Sequence, residues 1–335
     1  MAFVIDGSEW SFDTWTVQEV CTALEGLLER VWSARERGEV VWIGDDLQSR
    51  HVLPNMDIWS LCAPDAPITL PIELQHELAA WLGSAPRYAD QNIWPDGMVE
   101  TTRIRVGNAP HVDNPDVAWA HHHVRASRAV ACMSIRSDGP HNTQSDLGNS
   151  VVHWVRTEQS HREFWRDAID VERDTEETLE RLAPHAFPDL HFHPPVWRQI
   201  HNFAGGYNAV RLRLRAYLAA LDDHGCWAFM HPPPALRPDE VALVVDPTAQ
   251  PSNQIVERRF HGMALDIAPE NPNVYQDAYC RRARQITIGQ RTIYCEWHGK
   301  LERHQNRLHI HAPIPESNNK VVIAIFDAHL PIPGH

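Results

Sequence analysis

Apolar residues recur at three- and four-residue steps between Thr16 and Arg37, so Val20, Leu24, Leu27, Leu28 and Val31 share one face. That spacing predicts a helix, and Gly38 behind it suits a left-handed cap. The run Val40, Val41, Trp42, Ile43 reads as a short buried strand stopped by Gly44, Asp45 and Asp46. A second helix is expected from Ile72 to Leu82, framed by Pro71 and Gly83. Residues 84–117 are rich in Pro, Asp, Asn and Gly and hold one strand-like piece, Thr101 to Val106. From Val117 to Ile135 the pattern fits either a helix or a pair of strands.

A cluster of Asp, Gly, Pro, Asn and Ser at 138–150 marks a change of texture. Beyond it Val151–Val155, Arg162–Leu182 and Trp197–Leu221 read as a helical middle, broken at Pro184–Pro188 and at Gly205-Gly206. Pro232–Pro234 and Pro247–Ser252 flank a short strand, Val241–Val245, and look like a linker. The last stretch predicts a strand at Phe260–Ile267, a turn at Pro269–Pro272 and a basic helix at Asp277–Arg284. Strands Thr292–Leu301, Arg307–Ala312 and Val321–Phe326 follow as a meander with a loop at Glu302–Asn306. The expected fold is a multi-domain α+β protein: a mixed α/β region at 1–137, a helical region at 151–230, and a small antiparallel sheet with a packed helix at 255–331.

Alternation along the first hairpin strand puts Glu296, His298 and Lys300 on one face and Cys295, Trp297 and Leu301 on the other. In the second strand Arg307, His309 and His311 share a face opposite Leu308 and Ile310. Paired across a short turn, the two polar stripes lie side by side. Imidazoles exchange protons near neutral pH, while Lys and Arg hold phosphate, so this face has the groups that phosphodiester cleavage needs. A wet face of an antiparallel sheet is the plainer reading.

Charge sharpens the case. The chain carries a net −14, which argues against non-specific nucleic-acid binding by the whole molecule. Between Arg281 and His311, however, seven Lys and Arg stand against two acids. Arg281, Arg282, Arg284 and Arg303 are therefore candidate contacts to a nucleic-acid backbone. The six cysteines show no C-x-x-C spacing, no phosphate-loop or dinucleotide glycine motif occurs, and no run approaches the ~20 apolar residues of a membrane span. Met1 to Trp10 lack the basic start of a secretory signal, so a cytoplasmic protein with reduced thiols is expected.

The order helix, "RTIYCEWHGKLERHQNRLHIHAP", then "VVIAIFDAHLP" resembles the C-terminal half of RelE/HigB-type ribonuclease toxins. The resemblance spans about 255–331. It implies mRNA cleavage without a metal or other cofactor, with Lys300, Arg307, His298 and His309 as phosphate-binding and acid–base groups. RNA or another phosphate-bearing ligand is then the expected partner, and the N-terminal region a sensor or protein-binding module, as in multi-domain defence proteins. Two rivals stand beside this: a non-enzymatic binding protein, and a metal-dependent enzyme in which His309, His311 and Glu316 hold a divalent transition metal in cupin-like spacing. The pairs and triples at His191, His193 and His121–His123 are expected to be surface or partly packed residues rather than ligands.

Overall fold

Thr16 caps the first helix from both directions: its hydroxyl accepts from the Glu19 amide while Glu19 accepts from the Thr16 backbone and hydroxyl. Helix α1 (Val17–Glu36) therefore starts where the pattern begins, and it ends before Gly38, whose φ of 74° carries the left-handed stop. The computed structural model describes residues 3–63, 65–230 and 251–334, so the strand expected at Val241–Val245 and the prolines at 232–234 lie outside the described residues. The chain divides into two compact units, Met1–Arg173 and Asp174–His335, each mixed in helix and sheet.

The first unit is built on β1 (Phe3–Ile5), followed by α1, β2 (Val41–Trp42), a hairpin of β3 (His51–Leu53) and β4 (Met56–Asp57), and α2 (Ile72–Ser84). Strands β5 (Arg103–Val106) and β6 (Val112–Asp113), helix α3 (Pro115–Arg125), β7 (Ala131–Met133), β8 (Gly139–Ser145), β9 (Gly148–Val155) and α4 (Glu158–Val171) complete it. Seven strands form one sheet in the order β2-β1-β7-β9-β8-β5-β6, parallel from β2 to β9 and antiparallel beyond. Val4, Cys132, Val152 and Trp154 pack against Val117, Ala118 and Trp119 of α3. On the alternate side of β1, Phe3 meets Phe164 and Trp165 of α4. The parallel strands are covered on both faces, as such sheets require.

Four expectations change here. The stretch from Val117 to Ile135 is neither one helix nor two strands; α3 ends at Arg125 and β7 follows. Gly148, at φ 139°, turns the chain between β8 and β9, so 138–150 is a hairpin inside the sheet rather than a boundary. Val151–Val155, expected as helix, is the inner half of β9. The helical stretch 162–182 is two helices, because Arg173 and Asp174 both take positive φ.

The second unit holds α5 (Glu176–Ala186), β10 (Leu190–Phe192), α6 (Gly206–Ala228), α7 (Asn253–Gly262), β11 (Ile267–Pro269), α8 (Pro272–Gln276) and α9 (Ala278–Ala283). Strands β12 (Gln285–Ile288), β13 (Arg291–Tyr294), β14 (Trp297–Lys300), β15 (Arg307–His311) and β16 (Val321–Asp327) close it. Its main sheet runs β10-β16-β15-β14-β11, antiparallel except for the parallel edge strand β10. Phe260, expected in a strand, lies in α7 with Val256 at i,i+4 spacing, both buried. Arg259 of that helix donates to the carbonyls of Trp227, Ala228 and Met230, satisfying acceptors that the end of α6 leaves open. The strand expected at Thr292–Leu301 is split at Cys295, whose amide donates to the Arg284 carbonyl; β13 pairs with β12 as a separate hairpin and β14 joins the main sheet.

Tyr217 of α6 pins the apolar side of this sheet, donating to the Lys300 carbonyl at 2.9 Å and accepting from the Asp266 amide at 2.9 Å. Gly299 lies beneath it. A Cβ there would stand 2.9 Å from Leu308 Cδ2, 3.1 Å from the Tyr217 ring and 3.2 Å from Ile267. Gly299→Val should therefore destabilise the unit by about 1–3 kcal/mol through overpacking. A urea denaturation midpoint equal to wild type would count against this packing.

Candidate functional site

The hairpin does bring its polar groups to one face. His298 pairs with His309 and Lys300 with Arg307 across β14 and β15, and the two imidazole centroids are 5.9 Å apart. Between them sits Glu270, just past β11: its Oε1 is 3.5 Å from His298 Nδ1 and 3.7 Å from His309 Nδ1. The same oxygen accepts from Arg284 Nε at 2.7 Å, in an ion pair whose side chains are 3% and 8% exposed. His298, His309, Arg307, Glu270, Arg284 and His329 all line one cavity of about 350 Å³.

Each side chain is held by its element. The Glu270 amide donates to the Glu296 carbonyl at 2.7 Å, which extends the β11–β14 ladder and carries the carboxylate over the imidazoles. Arg307 donates through Nη1 to the carbonyls of Glu302 and Gln305, both at 2.8 Å, so its guanidinium is fixed by the hairpin loop it follows. Asn306 takes positive φ in that loop and is fully buried, donating to Glu302 and to the Ala204 carbonyl.

Burial sets the protonation. His309 is 1% exposed and neither ring nitrogen has a hydrogen-bond partner; burial, then the charge of His298 and nearby arginines, holds its pKa well below the ordinary value. His298, with 17% of its side chain exposed, is lowered by burial too, with Glu270 opposing that shift. Both rings are neutral at pH 7. The group can thus accept a proton at the cavity mouth and presents two fixed guanidiniums beside it.

Not every expected residue belongs. Lys300 is turned to the Asp266 carboxylate, 3.2 Å away, and does not line the cavity. His311 also lies outside it, and its Nδ1 meets the Ala312 carbonyl. Arg284, expected on a nucleic-acid backbone, is an interior ion-pair partner that also donates to the carbonyls of Cys280 and Pro331. Arg281 rests over the Tyr275 ring at 5.5 Å and Arg282 donates to the Ala278 carbonyl, so neither faces the cavity. Arg303 lies in the exposed hairpin loop.

The metal set expected at His309, His311 and Glu316 is not assembled: Glu316 pairs with Arg291 at 3.1 Å. Among the described residues no group of three or more His, Cys, Asp or Glu could hold a metal ion. The three consecutive histidines lie in α3 and are all buried, contrary to a surface placement. His121 sits between the hydroxyls of Thr143 and Ser145, and His123 packs edge-on to Trp119; burial pushes both down to about 4.

Strand alternation does not reveal Glu270 or His329, since neither lies in the hairpin. The only sequence trace of Glu270 is its place after a proline-ended strand.

The first unit has a polar cluster of its own. Asp6 accepts from Ser8, Asn114 and Trp154, while Asp116 accepts from the Gly7 amide at 3.0 Å and from the Tyr88 hydroxyl at 3.1 Å. Burial and the Asp6 charge raise Asp116 to about 7. These bonds tie the loop after β1 to α3 and β9.

No protein-family model matches the chain, and no curated protein or solved structure is significantly similar to it. Among the described residues no helix is long and apolar enough to cross a membrane.

Glu270→Gln removes the carboxylate from a buried pair and leaves Arg284 uncompensated, so it should cost about 3–5 kcal/mol. Asp266→Asn, at the exposed Lys300 pair, should cost less than about 1 kcal/mol. Equal urea midpoints for the two variants would contradict this ranking. Acid stability carries a sign as well. His298 and His309 have folded pKa values below the unfolded 6.5, so their contribution is complete above pH 6.5 and is lost as pH falls below it. Replacing both with Gln should flatten the fall in melting temperature between pH 7 and pH 5, and an unchanged slope would refute that assignment.

Proposed function

We propose that the C-terminal unit cleaves RNA by metal-independent acid–base chemistry in the cavity shared by His298 and His309. The observation that carries this reading is the imidazole pair: adjacent rings with three nitrogens lacking hydrogen-bond partners, lining a single cavity with two arginines. Buried polar nitrogens are usually paired, and unlike the unpaired His123 of α3 these belong to residues that line a cavity. The resemblance of 255–331 to RelE/HigB-type toxins supports RNA as the substrate class.

In this reading His298, nearer the mouth, takes the proton from the ribose 2′-hydroxyl. O2′ then bonds to phosphorus, the P–O5′ bond breaks, and protonated His309 delivers its proton to O5′. The products are a 2′,3′-cyclic phosphate and a 5′-hydroxyl end. Arg307, immobilised by the loop carbonyls, offers preorganised positive charge to the phosphate as negative charge builds on its oxygens. The bound phosphodiester anion also opposes the burial that keeps His309 neutral, so substrate binding and protonation of His309 are coupled.

His298→Ala and His309→Ala should each lower kcat/KM on single-stranded RNA by about 100-fold or more. His311→Ala and Glu316→Ala should leave it unchanged, and activity should persist in a chelator. Because free-protein values of both imidazoles lie below 6.5, the bell-shaped pH profile of kcat/KM should peak on the acid side of 6.5. Equal cleavage by wild type and both histidine variants, or loss of activity in chelator that returns with added metal, overturns the proposal. Salt-sensitive binding without cleavage, retained in His309→Ala, identifies a binding module instead.

A further inference from the structure

The first unit carries a separate cleft of about 750 Å³, lined by Arg30, Arg136, Arg156 and Trp15, and the geometry points to it as a binding site for the phosphate of a nucleotide. It is independent of the C-terminal cavity. Ile135 and Arg136 directly follow β7, and Arg156 and Thr157 directly follow β9; both strands run parallel to β1. The cleft thus opens at the carboxyl ends of the parallel strands, beside the point where the chain leaves β1 for β2 on one side and returns as β7 on the other. Open α/β sheets bind ligands at such places, because the loops there are free of strand pairing and converge on one crevice.

The charge in the cleft is what asks for an anion. Arg30 reaches out of α1 and donates to the Ser134 carbonyl at 3.1 Å, its Nε is buried without a partner, and it makes no ion pair among the described residues. Burial and then the Arg156 charge lower its pKa to about 10, which marks two cations close enough to repel in a partly desolvated place. Arg136 is braced by the carbonyls of Glu9 and Ser11 and by the Trp15 ring, 4.1 Å from its guanidinium carbon. The acids nearby are engaged elsewhere. Glu19 accepts from the Thr16 amide and hydroxyl, and Asp138 from the Arg156 amide and the Thr157 hydroxyl. Gly26 has no side chain to fill the space beside Arg30. Asp138 and Glu29 offset only part of this, and a phosphate accepting from Arg30 and Arg156 relieves both the desolvation and the mutual repulsion.

The test uses the full chain carrying His298→Ala and His309→Ala, so that the C-terminal cavity neither cleaves the probe nor dominates binding. Calorimetric titrations are run with a nucleoside 5′-monophosphate and, separately, with a short single-stranded oligoribonucleotide lacking terminal phosphates. Binding should weaken by about tenfold in Arg156→Gln, the loss of one charge-assisted hydrogen bond to phosphate. Because Arg156 is exposed, that variant keeps the fold; Arg30→Gln, checked by its melting temperature, should lose as much. Binding of both probes assigns a pocket for one phosphate, and binding of the oligonucleotide alone assigns an internucleotide backbone. Failure of both probes to bind at millimolar concentration, or unchanged affinity in Arg156→Gln, overturns the proposal.

Discussion

The Glu270 carboxylate is the constraint on which the interior of the C-terminal unit depends. It lies just past an edge strand, is almost fully buried, and neutralises Arg284 through a 2.7 Å bond while facing two uncharged imidazoles. Without it the unit would bury a guanidinium with carbonyl partners alone. With it, three polar groups from β14, β15 and the segment after α9 share one enclosed space. Desolvation that would be ruinous for isolated charges is offset here by a single well-placed acid.

That arrangement also explains why the histidines are poised rather than merely buried. A hydrogen bond to each ring nitrogen would fix their tautomers and leave no capacity for exchange. Instead burial holds them neutral, and His298 Nδ1 and both His309 nitrogens are enclosed without a hydrogen-bond partner. His311 lies outside the same cavity, which leaves one imidazole from each of β14 and β15 on the enclosed face.

The first unit solves the opposite electrostatic problem. Its buried carboxylates, Asp6 and Asp116, are saturated by backbone and side-chain donors and bind the loop after β1 to α3. Asp116, raised to about 7 from 3.8, adds stability as pH falls through 7, whereas the buried histidines of both units subtract it below 6.5. Acids sit inside this unit, and Arg30, Arg136 and Arg156 line the cleft at the strand ends.

Much of this was legible in the chain because periodicity records burial. The face of Val20, Leu24 and Leu28 marks α1, and alternation puts His298 and His309 in adjacent polar stripes. What periodicity cannot record is a partner that arrives from elsewhere. Glu270 reaches the imidazoles only because β11 pairs with β14, and Arg284 turns inward only because that acid waits there. The glycines and asparagine at 138–150 looked like a boundary, since a hairpin turn and a linker use the same residues. His311 belongs by alternation to the stripe of His309, yet the cavity does not extend to it. Local pattern thus located α1, α2 and the hairpin strands with their polar face, whereas strand order and long-range ion pairing decided which of those polar groups share a cavity.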